Sequence, residues 1–296
     1  MAVKITDFNT GVQPTWCPGC GAYAVKNVLP QALAELNLPP HKIVITYDIG
    51  CNGNGADKIN TYAVKSLHGR SMLPAIGAKY ANHDLKVIST IGDGAMMWEG
   101  AEHWITSAQR NEDITVILYN NEIYGLTTGQ TSGATPCGVK TVSYPYGTVD
   151  QPMNPVLVSI ASGATFVARA FVGKPQHMKE IFKQAIQHKG FAIVDVIMQC
   201  VTWTKIDMLS YYKDTVYGLE QDESDKPKSG FSKTKYDCTD KALALKTALQ
   251  KDKIPIGVIY KEEAPTITDK YSPLKKGALV NQKPEGKIED LLKEFC

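Results

Sequence analysis

Short apolar runs alternate with amphipathic stretches along the first two thirds of the chain. Runs of this length, bounded by turn residues, are typical of buried strands, and the stretches between them have the spacing of helices. We predict strands at 43–47, 86–91, 114–119, 164–171 and 191–198, and helices at 22–38, 73–82, 96–110, 154–162 and 175–189. We expect Pro30 to break the first of these helices. The alternation predicts an α/β fold, a doubly wound parallel sheet.

The rest of the chain has a different character. Residues 121–153 are rich in Gly, Thr, Ser and Pro and show no period, and so long a stretch without regular structure is usually functional. Residues 220–235 are charged and polar, as in a linker or surface segment. A helix, a strand and a helix are predicted at 241–251, 254–260 and 288–295. We therefore divide the chain into a main domain, 1–212, and a smaller C-terminal extension, 213–296, for which we expect a role in partner docking.

Composition and charge exclude several classes of protein. The 32 basic residues are interspersed with 30 acidic ones, so there is no basic stripe that would bind nucleic acid. The chain has seven cysteines, an odd number, with no apolar signal-peptide core at its start and no apolar run long enough to cross a bilayer. We expect a cytoplasmic protein with reduced thiols and no membrane or nucleic-acid partner.

Two polar motifs follow neighbouring strands. A Gly-Asp-Gly motif centred on Asp93 comes after the strand 86–91, and an Asn-Asn pair that ends at Asn121 comes after the strand 114–119. A strand–helix–strand crossover makes these strands parallel and usually adjacent, so the two motifs should meet at one edge of the sheet. A carboxylate, an amide carbonyl and a nearby main-chain oxygen, for which Ile123 is the candidate, are ligands that Mg²⁺ accepts.

The surroundings of this acidic residue favour an anion as well. Gly92 and Gly94 let the backbone approach phosphate groups closely, and the helix that should begin near Ala95 presents N–H groups and a positive end. The separation between the two motifs, residues 95–119, matches the signature of proteins that bind thiamine diphosphate.

Four of the cysteines are candidates for a redox centre. Cys17 and Cys20 form a C-x-x-C in a loop rich in Pro and Gly, whereas Cys51 and Cys200 each follow a predicted strand. On its own, the C-x-x-C would suit a structural zinc site at least as well as an iron–sulfur cluster. Because the two single cysteines are expected at the edge that carries the Gly-Asp-Gly motif, four thiolates beside a cofactor favour a redox centre. The remaining cysteines are interpreted as ordinary thiols: Cys137, Cys238 and Cys296.

These motifs together resemble the β subunit of 2-oxoacid:ferredoxin oxidoreductases, thiamine- and iron–sulfur-dependent enzymes that include pyruvate and 2-oxoglutarate synthases. As a set they cover about the first two thirds of the chain, in order, and are specific for this family. The matching segments are WCPGCG at 16–21, the IGC segment at 48–52, HGR at 68–70 with LPAIGAK after it, GDGA at 92–95, NNEIYGLTTGQ at 120–130 and MQC at 198–200.

The resemblance implies a set of ligands. The cysteines that would hold one [4Fe–4S] cluster are Cys17, Cys20, Cys51 and Cys200, and the groups that would bind Mg²⁺ are Asp93, Asn121 and the carbonyl of Ile123. The residues that would line thiamine diphosphate are Ile49, Gly50, Cys51, Asn52, His68, Gly92, Gly94, Ala95, Gly125 and Leu126. The candidates for the substrate side are Thr127, Thr128 and Arg70.

The resemblance also implies a composite enzyme. Thiamine enzymes need a second domain that supplies a Glu to the aminopyrimidine, and residues 213–296 are too few and wrongly patterned to be that domain. We therefore expect no catalytic residue in this chain alone. A larger α subunit, in an αβ or (αβ)2 assembly, would complete the site and carry most contacts to coenzyme A.

The implied reaction is the coenzyme A-dependent oxidative decarboxylation of a 2-oxo acid. Electrons would pass through the cluster to ferredoxin, and the reverse reaction would fix CO2. We favour 2-oxoglutarate over pyruvate, because the single-cluster chain with a YGLTTGQ loop resembles that branch slightly better. Two other classes stay open: a non-redox thiamine decarboxylase or synthase whose cysteines bind zinc, and an electron-transfer module.

Overall fold

A central sheet organises the residues that the structure describes, which are 2–204, 208–219, 236–283 and 286–294 of a computed structural model. The strands within these ranges are β1 (Ile43–Tyr47), β2 (Tyr62–Lys65), β3 (Lys86–Gly92), β4 (Thr115–Asn120), β5 (Ile123–Tyr124), β6 (Gln130–Thr131), β7 (Phe166–Phe171), β8 (Ala192–Ile197), β9 (Val216–Gly218) and β10 (Ile254–Lys261). Eight of them form one sheet in the order β2-β1-β3-β4-β8-β7-β10-β9, and β5 and β6 form a separate hairpin. Every pairing from β2 to β7 is parallel, whereas β10 is antiparallel to β7.

Helices cover both faces of this sheet. They are α1 (Ala22–Glu35), α2 (Met72–Ala81), α3 (Ala101–Arg110), α4 (Pro155–Ala161), α5 (Pro175–Gln187), α6 (Met208–Thr215), α7 (Lys241–Ala248), α8 (Ile267–Lys270), α9 (Ser272–Lys275) and α10 (Ile288–Lys293). A π-helical turn covers Ala95–Glu99, and 3-10 turns cover Ile5–Phe8, Pro40–Lys42, Asn52–Gly55 and Leu279–Asn281. In the described ranges, no helix combines the length and the apolar character that crossing a membrane requires.

The strands place alternate side chains in two cores, one on each face of the sheet. In β4, Ile117 and Tyr119 belong to the core under α1 and α5, and Val116 and Leu118 belong to the core under α2, α3, α4 and α7. Because both faces are buried, such strands form continuous apolar runs in the sequence. The covering helices bury one stripe each, and the buried residues of α5 recur at helical spacing: Met178, Ile181, Phe182, Ala185 and Ile186.

The predicted fold class is confirmed, because the sheet is mostly parallel and helices cover both faces. The strand predicted at 43–47 has the observed bounds, and the other four predicted strands differ by one or two residues at an end. The prediction of a five-stranded sheet was incomplete, because β2, β9 and β10 also join it. All four residues of β2 are exposed at the edge of the sheet, and its Tyr-Ala-Val run is too short for the pattern to predict a buried strand there. The segment 121–153 is irregular except for the hairpin of β5 and β6.

The prediction that Pro30 breaks the first helix is wrong. α1 continues through Pro30 without interruption. Proline in a helix interior removes a backbone hydrogen bond, which costs about 3 kcal/mol or more. Val25, Leu29 and Leu33 are each at most 1 % exposed beneath this helix. Their burial offsets the cost, at about 1.5–3 kcal/mol for each side chain.

The helix predicted at 96–110 is divided in two. The π-helical turn comes first, and α3 begins only after Gly100, whose φ of −116° is not helical. Gly100 packs against the backbone of Gly69, since a Cβ on Gly100 would lie 2.5 Å from the Gly69 carbonyl oxygen. The helix therefore changes from π-helical to α-helical at Gly100, the residue against which the loop at 68–70 packs.

The C-terminal part of the chain contributes to the same sheet. The strand predicted at 254–260 is confirmed as β10, and it pairs with β7 on one side and with β9 on the other. α7 ends earlier than the helix predicted at 241–251, and α10 covers most of the helix predicted at 288–295. The charged segment at 220–235 lies outside the described residues. The division of the chain after residue 212 stays a prediction.

Candidate functional site

Asp93 lies at the carboxyl end of β3 in a buried position, 2 % exposed. Its carboxylate accepts hydrogen bonds from the backbone N–H of Asn121 at 3.4 Å and from the hydroxyl of Ser132 at 2.5 Å. Burial penalises the charged form and raises the pKa of Asp93 to about 7. A cation bound to this carboxylate would compensate that penalty, so the position suits a metal ion.

The Asn-Asn turn after β4 brings further oxygen atoms to this carboxylate. Asn121 Oδ1 accepts a hydrogen bond from the N–H of Ile123 at 3.2 Å, across Glu122, whose φ is 61°. The structure therefore brings Asp93, Asn121 and Ile123 together at the ends of β3 and β4. Side-chain oxygens of Asp and Asn with a backbone carbonyl form a set that Mg²⁺ accepts.

A buried polar network supports this turn from the inside of the protein. The hydroxyl of Tyr212 donates to Glu122 at 3.2 Å, and burial raises the pKa of Glu122 to about 7. Beside them, Asp195 pairs with Arg169 at 2.8 Å and accepts a hydrogen bond from the side chain of Asn120 at 2.9 Å. The sequence pattern does not single out these side chains, because their partners lie far away along the chain.

Asp48 connects three loops at the same edge, and the sequence pattern does not reveal its role. It follows β1 and is fully buried, and burial raises the pKa of its carboxyl. Oδ1 accepts a hydrogen bond from the N–H of Gly69 at 2.8 Å, and Oδ2 accepts one from the N–H of Gly92 at 3.5 Å. Gly53 packs on the Asp48 carbonyl so closely that a Cβ there would lie 2.1 Å from the oxygen. Asp48 thereby sets the relative positions of the loops after β1, β2 and β3.

The residues predicted to line thiamine diphosphate lie in these loops and in the loop after β5. Asn52 is buried, and its side-chain amide donates to the hydroxyl of Thr90 at 3.4 Å. Gly94 lies against the ring of Tyr124, because a Cβ on Gly94 would be 2.4 Å from that ring. Ile49 is 38 % exposed at the surface of the edge, and Leu126 is 49 % exposed. The other residues of the set in these loops are Gly50, Cys51, His68, Gly92, Ala95 and Gly125.

His68 and Arg70 both reach the π-helical turn. His68 Nδ1 lies 3.3 Å from Glu99 Oε1. Arg70 Nη1 donates to the backbone carbonyl of Glu99 and, at 2.9 Å, to Glu102 Oε1. The hydroxyl of Tyr124 donates to the Glu99 carboxylate at 2.9 Å. Arg70, predicted on the substrate side, therefore binds the start of a helix in this structure.

Thr127 and Thr128 lie on the exposed turn between β5 and β6. The hydroxyl of Thr127 donates to Gln130 Oε1 at 2.6 Å, and Thr128 has a φ of 80°. Trp203 packs on Gly129 of the same turn, where a Cβ would lie 3.3 Å from the Trp203 side chain. The turn with the two threonines therefore contacts the segment that follows β8.

The four candidate cysteines come together beside this edge. In the C-x-x-C turn, the N–H of Cys20 donates to the carbonyl of Cys17 at 3.0 Å. A Cβ on Gly125 would lie 3.4 Å from Cys200 Sγ and 3.5 Å from Cys51 Sγ. Burial and then the other three thiols raise the pKa of Cys51 to about 12. Such a thiol stays protonated until a metal binds, since coordination removes the proton.

Four thiols near one another are ligands that suit either a zinc ion or a four-iron cluster. In the part of the chain that the structure describes, no group of three or more His, Cys, Asp or Glu side chains is already placed to hold a metal ion. Cys137 and Cys238 lie on other segments, and Cys296 lies outside the described residues.

Replacing Asp48 with Ala should loosen the loops after β2 and β3. The buried N–H groups of Gly69 and Gly92 lose their acceptor, and each such loss costs about 1–3 kcal/mol. We expect the free energy of unfolding to fall by about that amount and hydrogen exchange to speed up in peptides 66–71 and 90–94. The exposed pair Asp290–Lys293 offers the control, because Asp290→Ala should cost less than about 1 kcal/mol. Unchanged exchange in both peptides of Asp48→Ala would contradict this role.

Two family models match the chain. The one described as "Thiamine pyrophosphate enzyme, C-terminal TPP binding domain" matches residues 48–196. The other describes the C-terminal region of the pyruvate ferredoxin oxidoreductase beta subunit, and it matches residues 200–276. The first match begins at Asp48 and contains the Asp93 and Asn121 motifs, and the second begins at Cys200.

Individual proteins agree with the family models. The "2-oxoacid:ferredoxin oxidoreductase subunit beta" of Saccharolobus solfataricus is 39 % identical over 292 residues, which cover 94 % of this chain and 95 % of that protein. The "2-oxoglutarate synthase subunit KorB" of Methanocaldococcus jannaschii is 36 % identical over 214 residues, which cover 70 % of this chain and 79 % of that protein.

A solved structure has the same fold along almost the whole chain. It is a 2-oxoglutarate:ferredoxin oxidoreductase from Magnetococcus marinus with 2-oxoglutarate, coenzyme A and succinyl-CoA bound. The TM-score is 0.86 at 33 % identity, and the match covers 99 % of this chain and 96 % of that chain. With this similarity, and with a thiamine-type motif pair at the carboxyl edge of the sheet, the chain belongs to the β-subunit family of the 2-oxoacid:ferredoxin oxidoreductases, which are thiamine diphosphate-dependent enzymes built from more than one subunit.

Proposed function

We propose that this chain is the β subunit of an enzyme that oxidatively decarboxylates a 2-oxo acid, with 2-oxoglutarate favoured over pyruvate. The reaction consumes the 2-oxo acid and coenzyme A, releases CO2 and an acyl-CoA, and passes the electrons through a [4Fe–4S] cluster to ferredoxin. In reverse, it fixes CO2. The observation that carries the proposal is that the thiamine-type motif and the cysteines lie at the same edge of the sheet. Gly125, four residues after Asn121, is in contact range of the sulfurs of Cys51 and Cys200.

Asp93, Asn121 and the carbonyl of Ile123 are proposed to hold Mg²⁺ and, through it, the diphosphate of the cofactor. The main support is the buried carboxylate of Asp93, whose raised pKa reflects a negative charge that the protein alone does not compensate. Gly94 follows this carboxylate directly, and its lack of a side chain lets phosphate oxygens approach the backbone. When bound, thiamine diphosphate supplies the electron sink for the loss of CO2.

Cys17, Cys20, Cys51 and Cys200 are proposed to ligate the cluster, which when bound supplies a one-electron carrier beside the diphosphate edge. The indole N–H of Trp16 donates to the carbonyl of Cys51 at 2.6 Å. This hydrogen bond joins the C-x-x-C segment to the loop after β1, so two of the segments that carry thiols are held together by the protein itself. The zinc alternative has less support, because a structural zinc has no reason to lie beside the cofactor edge.

Thr127 and Thr128 are proposed to face the substrate. 2-Oxoglutarate differs from pyruvate by a distal carboxylate, which the Thr128 hydroxyl is able to bind, and the Thr127 hydroxyl as well once it releases Gln130. Arg70 is a less suitable partner for that carboxylate, because its guanidinium already binds Glu99 and Glu102. The preference for 2-oxoglutarate is further supported by the relatives that are named for this substrate.

A larger α subunit is proposed to complete the site, in an αβ or (αβ)2 assembly in the cytoplasm, where thiols stay reduced. Leu67 is 78 % exposed beside the cofactor edge and Leu126 is 49 % exposed, as expected for residues that a partner covers. The partner would supply the glutamate for the aminopyrimidine and most of the contacts to coenzyme A. This chain contributes no catalytic residue of its own to the proposal.

Asp93→Ala should abolish tight binding of the cofactor. The variant loses the carboxylate ligand of Mg²⁺, so we expect the affinity for thiamine diphosphate in a calorimetric titration with Mg²⁺ to fall by more than about tenfold, or about 1.4 kcal/mol. The fold should be retained, because Asp93 lies at a strand end. Asp150→Ala, a change in the exposed part of the 121–153 segment, is the control and should bind normally. Normal binding by Asp93→Ala would overturn this site.

Serine at a proposed cluster ligand should lower the iron content and stop the reduction of ferredoxin. A serine hydroxyl is a poor replacement for a thiolate, so Cys51→Ser and Cys200→Ser should each show the loss. Cys137→Ser should keep the iron of the unmodified protein. The measurements are iron per chain and ferredoxin reduction in anaerobically purified complex. Full iron and activity in Cys51→Ser are incompatible with this assignment.

The chain without a partner should show no turnover. It offers one half of the site, so the reactive ring of the cofactor would be held only through its diphosphate. The test is an assay with 2-oxoglutarate, pyruvate, coenzyme A and a viologen dye, first with the chain alone and then with the co-expressed α subunit. Sustained turnover by the chain alone would refute the composite site.

A further inference from the structure

We propose that Glu99 is a positioning residue for the diphosphate end of the site: its carboxylate contacts Nδ1 of His68, accepts a hydrogen bond from Tyr124 and fixes both side chains around Gly94. The inference rests on the proposed function and on the placement of His68 among the residues expected to line thiamine diphosphate. It extends that function by naming the group that orients His68.

Side chains from two different loops converge on Glu99. His68 Nδ1 lies 3.3 Å from Oε1, and the hydroxyl of Tyr124 lies 3.0 Å from Oε1 and 2.9 Å from Oε2. Arg70 donates to the backbone carbonyl of the same residue. Burial and the hydrogen bond to Glu99 raise the pKa of Tyr124, so its hydroxyl keeps the proton that it donates. One residue thus receives donors at both its side chain and its backbone.

The backbone on both sides of Glu99 makes these contacts possible. Glu99 ends the π-helical turn, and such turns occur frequently at functional sites. Gly69 has a φ of 72°, and a Cβ there would lie 2.7 Å from Glu99 Cβ. Gly100 allows the same close approach from the other side, against the carbonyl of Gly69. Only glycines at both positions let the loop with His68 reach the carboxylate.

The contact has a chemical consequence for His68. Because Nδ1 faces the Glu99 carboxylate, Nε2 is the ring nitrogen that is left to meet a ligand. The other charged groups around the loop are Asp48, which holds the N–H of Gly69, and Arg70, which binds Glu99 and Glu102.

Tyr124 is the second side chain that Glu99 fixes. Its ring centroid lies 5.7 Å from that of His68, and its ring covers Gly94. Since the ring fills the space beside Gly94, a freely rotating Tyr124 would change the wall of the site at this glycine. If Glu99 made only a surface ion pair, its loss would leave cofactor binding unchanged.

A double-mutant cycle tests the proposal. The protein is the complex with the partner subunit, stripped of cofactor, and the measurement is its affinity for thiamine diphosphate with Mg²⁺ by calorimetry. The variants are Glu99→Gln, His68→Gln and the double variant. Glu35→Gln is the matched control, because the Glu35 side chain is 42 % exposed, as is that of Glu99, and it pairs with Lys179 and Lys183, away from these loops.

We expect each single substitution to weaken the affinity by about tenfold, and Glu99→Gln to weaken it by clearly less than that when His68 is already replaced, since Glu99 acts partly through His68 and partly through Tyr124. The KM for the cofactor should rise in Glu99→Gln, whereas kcat at saturating cofactor should stay within about twofold. The control should bind like the unmodified complex. If Glu99→Gln does not assemble, Glu99→Asp replaces it in the same cycle with the same expected coupling.

Two results overturn this inference and leave the proposed function intact, provided that the unmodified complex binds thiamine diphosphate. One is a Glu99→Gln complex that binds the cofactor as tightly as the unmodified complex. The other is a Glu99→Gln substitution that weakens cofactor binding equally whether His68 is present or replaced. If the unmodified complex binds none, the proposed function fails, and this inference fails with it.

Discussion

The parallel pairing of β1, β3, β4 and β8 is the constraint on which the whole site depends. Because these strands are neighbours and run the same way, the loops that follow them open at one edge of the sheet. Those loops carry Cys51, Asp93, Asn121 and Cys200. The C-x-x-C segment joins them through the hydrogen bond from Trp16 to the loop after β1. A phosphate-type site and a group of thiols are therefore adjacent as a consequence of one topological feature.

The same edge carries buried groups whose charged forms the protein alone does not stabilise. Burial raises the pKa of Asp93 and of Glu122 to about 7 and that of Cys51 to about 12. Because folding raises these pKa values, the protonated groups stabilise the folded chain relative to the unfolded chain. This stabilisation is lost as the pH rises through the raised pKa values. Cations at the edge would reverse the preference, since they stabilise the carboxylate and thiolate forms. The proposed metal binding would thus be coupled to folding at this edge.

The sequence predicted the parts of this edge that a local pattern encodes. The strand at 43–47 and the motifs at Asp93 and Asn121 follow from an apolar run that ends in turn residues. The role of Asp48 does not, because its carboxylate binds amides 21 and 44 residues away in the chain. The π-helical turn is not predicted for a related reason. It ends beside Gly100, which packs against the backbone of Gly69 from a different loop. The exposed edge strand β2 has too short an apolar run for the pattern to predict it.

The central claim is that the diphosphate of thiamine and the iron–sulfur cluster share this sheet edge. The most direct test is pulsed electron–nuclear double resonance on the complex with its cluster reduced and thiamine diphosphate bound. We predict a hyperfine coupling between the cluster spin and the phosphorus nuclei of the diphosphate, which disappears when the cofactor is removed. A complex that demonstrably holds both groups but shows no phosphorus coupling would contradict the account.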